Sequence, residues 1–298
     1  MHGWIILDKP LGLGSTQGVS AVKRALRDSG YGPKLRDLPK VGHGGTLDPL
    51  ATGVLPIAVG EATKLAGRML DSDKVYDFTI RFGVETDTLD LEGKPVAESA
   101  VRPTRDQIAA ILARFTGAID QMPPAYSALK VDGERAYDLA RKGETVTLAA
   151  RAVTIHALTL GETTPESATL TAHVSKGTYI RSLARDIALA LGSVGHVTML
   201  RRVKAGPFTL ESAISLDKLA ESGMARDLEH CLLPLRAGLD DIPALLLEPG
   251  QAGALRQGKV LTGIAANDGQ HFALDGETPV ALVEVTDGNV RVVRGFNL

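Results

Sequence analysis

Cysteine is nearly absent from this chain. The single one, Cys231, excludes an internal disulfide framework and a cysteine-built zinc site. Its setting, HCLLP, is apolar and reads as that of a buried, inert thiol. The seven histidines show no H-x-x-x-H spacing, so no resident metal is expected. No apolar run approaches the ~20 residues that span a bilayer. The apolar opening GWIIL is too short for a signal sequence and runs into Asp8. A cytoplasmic protein with no membrane contact is expected. A G-x-x-x-x-G-K-[ST] loop is missing, as is a G-x-G-x-x-G opening a helix after a strand. GLGSTQG, residues 12–18, is too weak to claim a nucleotide site. Repeats and low-complexity tracts are missing too. Net charge is only −2, which does not by itself point to nucleic acid.

The 298 residues suffice for one large domain or two unequal ones. Charge is uneven along them. Residues 1–40 carry seven Lys/Arg against three Asp, and residues 176–206 carry six against one. The two segments could fold into one basic groove, or could be ordinary solvated charge. WIIL reads as a short buried strand. A helix follows, capped by Ser15 or Thr16, with Val19, Val22 and Leu26 on its apolar face and Gly30 past its end. Residues 74–83 alternate as a strand with Tyr76, Phe78 and Ile80 on one face. Thr104 and Gln107 form a capping box. PPAYSALKVDGERAYDLARKG reads as a loop and a short helix. Strands are expected at 153–160 and 168–175. Ile180, Leu183, Ala184, Ile187, Ala188 and Leu191 make the strongest helical pattern, stopped by Gly192. HVTMLRRVKAGPFTL returns as extended chain. A boundary is expected between residues 235 and 242, giving units 1–238 and 239–298. The second is a small β-rich module with a hairpin turning at Asp287-Gly288-Asn289.

The most informative stretch is VGHGGTLDPLATGVLPIAVGEATK, residues 41–64. It holds a lone carboxylate, Asp48, between Gly42, Gly44 and Gly45 on one side and Pro49 on the other. Glycines permit close backbone approach, and proline stiffens the loop and biases Asp48 away from helix. An acid held this way can act as nucleophile or base, or simply cap a turn. The second region is SKGTYIRSLARD, where Arg181 and Arg185 share a helix face. Arg181 reaching Asp48 would favour the ionised acid. A surface ion pair is the alternative. Tyr76 and Tyr179 can be core residues or stacking platforms for a base. His43 can serve a turn or stack on a nucleotide. The acidic run DTLDLEG reads mainly as loop, cap and surface residues.

These segments together resemble the TruB family, the bacterial tRNA uridine-55 pseudouridine synthases. GHGGTLDPLATGVLPIAVGEATK resembles the catalytic motif, and WIILDKPLGLGST the opening segment. DSDKVYDFTIRFGVETDTLDLEG resembles the tyrosine motif. MPPAYSALKVDGERAYDLARKG, SKGTYIRSLARDIALALG and HVTMLRRVKAGPF follow in family order and spacing. The similarity covers residues 3–219. The segment after Ile242 resembles a PUA-type RNA-binding module more weakly. Gly44-Gly45-Thr46 departs from the Thr-Gly-Ala of many members and leaves Asp48 in place.

The resemblance implies an α+β fold with a mixed, largely antiparallel sheet of the pseudouridine synthase type. It implies isomerisation of uridine at position 55 in the tRNA T-arm, on a flipped base, with no cofactor, no metal and no obligatory protein partner, by a monomer. Asp48 matches the catalytic aspartate, Tyr76 the tyrosine that stacks on the base, and Arg181 the arginine that pairs with the acid. His43 matches the histidine at the flipped nucleotide, and Tyr179 and Leu200 match pocket-lining positions. Two rival readings stand beside it: an RNA-binding or tRNA-folding protein, and a guide-RNA-dependent relative acting on ribosomal RNA. The continuous insertion at residues 101–141 and the lack of long basic tails favour the stand-alone tRNA enzyme.

Overall fold

GWIILDK forms the strand Gly3–Lys9 because consecutive large apolar residues suit a strand covered on both faces. Trp4, Ile5, Ile6 and Leu7 are all fully buried. The same holds for Ala51–Val59, which pairs antiparallel with it from Gly3 opposite Val59 to Lys9 opposite Gly53. In this computed structural model the described residues are 1–298 apart from 128, 132 and 143–147. They build a ten-stranded sheet whose main path runs Leu233–Pro234, Gly3–Lys9, Ala51–Val59, Gly195–Ala205, Lys74–Phe82, Ser167–Val174, Arg151–Thr163 and Gly117–Gln121. Val41–His43 flanks Ala51–Val59, and Phe208–Thr209 flanks Gly195–Ala205. Every pairing in this sheet is antiparallel except that of Ala51–Val59 with Gly195–Ala205. The fold is therefore α+β with a mixed, largely antiparallel sheet, as the resemblance implies.

Two cores lie along this sheet. Helix Ser15–Asp28 buries Val22, Ala25 and Leu26 against Ile5, Leu7, Leu55 and Ile57. Helix Ile180–Ala190 buries Ile180, Leu183, Ala184 and Ile187 against Phe78, Ile80, Leu170 and Ala172. Tyr76 and Leu200 pack against both cores, where the two halves of the sheet meet.

The C-terminal residues form a separate four-stranded sheet in the order Ala244–Leu246, Gly269–Asp275, Thr278–Thr286, Asn289–Gly295, with helix Gln251–Arg256 beside it. The hairpin turns where expected: Asp287 and Gly288 have φ of 50° and 71°, and Thr286 pairs with Asn289. This sheet is not independent of the first. Phe272, Leu274, Leu282 and Phe296 share one hydrophobic cluster with Trp4, Ile6, Val54 and Phe208.

Several local expectations change. The cap of the first helix is Gly14, whose N–H donates to Gln17 Oε1 at 2.7 Å. Ser15, expected there, faces inward and binds Leu47. The apolar pattern of residues 61–70 predicts one helix, but the chain forms a 3₁₀ segment, Gly60–Leu65, before helix Ala66–Asp71. Cys231 is half-buried, its thiol donating to Ser222 Oγ at 3.3 Å. Thr104 caps helix Arg105–Ile111 as read. The reading of residues 123–143 lies partly outside the described residues, but Ala136–Arg141 is helical.

Candidate functional site

Residues 44–50 leave the sheet between Val41–His43 and Ala51–Val59, and buried side chains pin them from three sides. Ser15 Oγ donates to the Leu47 carbonyl at 2.9 Å and accepts from the Leu47 N–H at 2.8 Å. Arg202, 1% exposed, donates to the carbonyls of Gly45, Thr46 and Val54. Lys9, fully buried, donates from Nζ to Leu13 at 2.6 Å, Pro10 at 3.0 Å and Pro49 at 3.1 Å. Burial pulls its ammonium from 10.5 down to about 8, against the attraction of Asp48. The Gly12 N–H also reaches the Pro49 carbonyl, at 2.9 Å. The carbonyls on both sides of Asp48 are thus tied to the protein body, and its carboxylate stays 41% exposed.

Opposite it stands Arg181, on the first turn of helix Ile180–Ala190, its side chain only 7% exposed. One guanidinium nitrogen lies 3.1 Å from Asp48 Oδ2, and the other 3.6 Å from Asp90 Oδ2. The same two nitrogens donate to the Tyr126 and Thr88 carbonyls at 2.9 and 2.8 Å. A buried guanidinium held by two carbonyls and two acids is fixed in plane and position. Asp90 is itself fixed by Thr88 Oγ1 at 2.5 Å and the Glu92 N–H at 3.0 Å.

Above this triad lies a small cleft walled by Leu50, Ala51, Val197, Thr198, Met199 and Leu200, with Asp48, Asp90 and Arg181 at its polar side. Strand register brings these residues together: Leu200 pairs with both Ala51 and Phe78. Tyr76 sits two residues along the same strand, opposite Arg202 and Ala172. Tyr179 precedes the Arg181 helix, and its N–H donates to Gln121 Oε1 at 2.7 Å. Burial raises its phenol above the usual 10.0. His43 ends the short strand before the loop. Its Nδ1 is buried and meets no hydrogen-bond partner among the described residues. Burial, then the nearby Arg202 charge, lowers its pKa below 6.5, so the ring is neutral at pH 7.

The fold therefore joins Asp48 directly to Arg181 and packs Tyr76 with Leu200. It adds Asp90, Lys9, Ser15 and Arg202, which sequence reasoning did not assign. Asp90 lay in plain view in DTLDLEG, but its role depends on Arg181 arriving from residue 181. The idea of a basic groove is corrected in part. In the 176–206 segment, Lys176 pairs with Asp71, Arg185 with Asp186 and Arg201 with Asp8, while Arg181 and Arg202 are buried. Arg181 and Arg202 serve the interior, while Lys204 of this segment stays exposed. Further exposed positive charge lies on Arg24, Lys34 and Lys40, and on Arg27 and Arg36, which face Asp28 and Asp37 at 3.7 Å.

Comparison with known proteins agrees with this architecture. Residues 34–180 match the model for the TruB family pseudouridylate synthase N-terminal domain, and residues 181–240 that for the tRNA pseudouridylate synthase B C-terminal domain. The chain is 69% identical to tRNA pseudouridine synthase B of Novosphingobium aromaticivorans, over 100% of this chain and 98% of the relative. It is 62% identical to that of Zymomonas mobilis, over 100% and 96%. Among solved structures, one of an H/ACA RNP bound to a substrate RNA containing 2′-deoxyuridine aligns with TM-score 0.75 at 24% identity, covering 99% of this chain and 85% of that one. A Cbf5-Nop10-Gar1 complex aligns with TM-score 0.75 at 25% identity, with the same coverage. With two family models spanning most of its length and relatives matched end to end, the chain belongs to the TruB family of pseudouridylate synthases.

Proposed function

We propose that this chain isomerises uridine to pseudouridine at position 55 in the T-arm of tRNA, with Asp48 as the catalytic carboxylate. The observation that carries the assignment is the half-exposed Asp48 held by a buried Arg181, itself backed by Asp90, at the polar side of an apolar cleft. The N1–C1′ bond of uridine breaks, the uracil turns, and a C5–C1′ bond forms. The C5 proton leaves and N1 gains one, so the reaction is redox-neutral and needs no group donor. Asp48 attacks C1′ or removes a sugar proton, and Arg181 holds it aimed. Tyr76 stacks on the uracil and relays the C5 proton. His43 lies against the flipped nucleotide, and Tyr179 and Leu200 line the base pocket. The target base must leave its stack to reach Asp48.

Residues 1–238 are the catalytic unit in this reading. Residues 239–298 are a small PUA-like module that adds modestly to RNA affinity. The module has eight acidic residues against four basic ones from Asp240 onward, a poor electrostatic match for phosphate. The enzyme works as a cytoplasmic monomer without an obligatory protein partner. Among the described residues no helix is long and apolar enough to cross a membrane.

The test is tritium release from C5-labelled uridine in a T-arm stem-loop, without added metal or nucleotide. Wild type should release label, and Asp48→Asn should bind the same RNA and release none. Substantial release by Asp48→Asn would remove the carboxylate from the mechanism. Tight binding without release by wild type would instead make the chain an RNA-binding or tRNA-folding protein.

A further inference from the structure

Two histidines and an aspartate that lie far apart in sequence converge on the outer face of the main sheet. His156 Nε2 lies 3.1 Å from Asp73 Oδ2, and His173 Nε2 lies 3.7 Å from the same oxygen. All three potential ligand atoms fall within 4.8 Å of one another. A tetrahedral zinc with bonds of about 2.0–2.2 Å separates its ligand atoms by about 3.3–3.5 Å. The distances of 3.1 and 3.7 Å bracket that spacing, so small side-chain rotations close the set around an ion.

The backbone explains the convergence. Ile155 pairs with Val174, but the next pair is Ala157 with His173, so His156 is an extra residue in a β-bulge. The bulge sets His156 beside His173 on the same face, with ring centroids 4.7 Å apart. Asp73 immediately precedes the third strand, where Lys74 pairs with Val174. Two neighbouring strands thus each contribute a histidine, and the residue leading into the third contributes the carboxylate. Asp73 attracts the adjacent Lys74 ammonium, but the neighbouring cations make their hydrogen bonds and ion pairs with other groups. Lys74 donates to the carbonyls of Met69, Leu70 and Ser72, and Lys176 pairs with Asp71. Among the described residues, the ion-pair partners of Asp73 are the two histidines.

The face is distinct from the reaction cleft. Tyr76, Ala172 and Val174 point into the core beneath the Arg181 helix, whereas His173 has the opposite parity, with the Thr171–Asp77 and Thr79–Thr169 hydrogen bonds continuing the polar outer surface. We propose that Asp73, His156 and His173 bind a late first-row divalent metal of the zinc type. Two imidazoles select against magnesium and calcium, which prefer oxygen ligands. Three protein donors leave a coordination position for water or a further ligand. A bound ion would clamp Lys74–Phe82, Ser167–Val174 and Arg151–Thr163 together at one end.

The full-length, untagged chain is stripped with chelator, then titrated with Zn²⁺ by equilibrium dialysis and with Co²⁺ by visible absorption. Wild type should take up one ion per chain, show d–d bands with Co²⁺, and unfold at a higher temperature with Zn²⁺ present. His156→Ala and His173→Ala should each weaken binding more than about a hundredfold, beyond the 10–100-fold typical of losing an outer-shell contact. Asp73→Asn, which preserves shape, should weaken it as well, while Cys231→Ser should leave it unchanged. Circular dichroism of the metal-free variants separates lost ligands from lost folding. No stoichiometric uptake by wild type, or uptake unchanged in folded His156→Ala and Asp73→Asn, would overturn the site.

Discussion

Arg181 can be replaced by no other side chain without leaving groups unpaired. Its fork serves Asp48, Asp90 and the carbonyls of Thr88 and Tyr126 at once. In Arg181→Lys a single ammonium cannot span all four. Losing even one charged hydrogen bond costs about 1.5–3 kcal/mol. Turnover should therefore fall by roughly tenfold to a hundredfold or more, measured by single-turnover tritium release, with RNA affinity less affected. Wild-type rates in this variant would count against the ion pair. His43 gives a pH prediction. Its folded pKa lies below the unfolded 6.5 because burial and Arg202 disfavour the charged ring. The stability linked to the neutral ring is fully present above pH 6.5 and is lost as pH falls through the lowered folded value. Denaturant unfolding of wild type and His43→Phe at pH 7.5 and 5 should show wild type losing more stability on acidification. Equal losses would mean the ring is solvated. At this scale Asp48 and Arg181 were legible as a candidate pair. Asp90 was not, because an acid among turn-forming residues looks like any other until its partner arrives from 91 positions away. Lys9 was hidden for the opposite reason: lysine is read as solvated, and this one lies inside a cage of carbonyls.

Elements hold the Asp48 loop in place, and the strand that follows it depends on one backbone position. Gly53 adopts φ of 98°, and a Cβ there would sit 2.2 Å from the Arg202 carbonyl oxygen. Gly53→Ala combines left-handed strain with a backbone clash, each about 1–3 kcal/mol, so a loss of roughly 2–6 kcal/mol is expected in chemical denaturation. It should also reduce turnover, because Arg202 carries the Gly45 and Thr46 carbonyls. Ser15→Ala removes both links to Leu47 and should cost about 1–3 kcal/mol. Helix placement was largely readable because period and punctuation are local: Gly192 stops the Arg181 helix, and Thr104 caps its own. The inward turn of Ser15 was not, since a serine before a helix is a cap by habit and only tertiary packing redirects it.

Across the whole molecule, the C-terminal sheet is joined to the body mainly by apolar packing. The ion pairs at the junction, such as Arg68–Asp241 at 2.9 Å, are exposed enough to be worth about 0–1 kcal/mol. Each buried phenylalanine is worth about 3–5 kcal/mol. A chain ending at Leu239 would lose Phe272, Leu274, Leu282 and Phe296 from the cluster around Trp4. That loss rivals the roughly 5–15 kcal/mol that stabilises a whole domain. The truncated chain is expected to aggregate or melt far below the full protein, and Phe296→Ala alone should lower stability by about 3–5 kcal/mol. A truncated chain with an unchanged midpoint would show the sheets to be independent. The β-rich character of this region could be read from alternation and its turn. Its shared core could not, because nothing in the order of residues says that the ends of the chain meet.

Trp4 is the only tryptophan. It packs against Phe208 at 5.2 Å, donates to the Leu235 carbonyl at 3.2 Å, and shares its cluster with Phe296, two residues from the C-terminus. The opening strand thus closes its largest side chain against partners as far as 231 positions away in sequence. Its indole emission should shift to shorter wavelength as those distant partners cover it during refolding, giving a built-in optical probe of long-range closure.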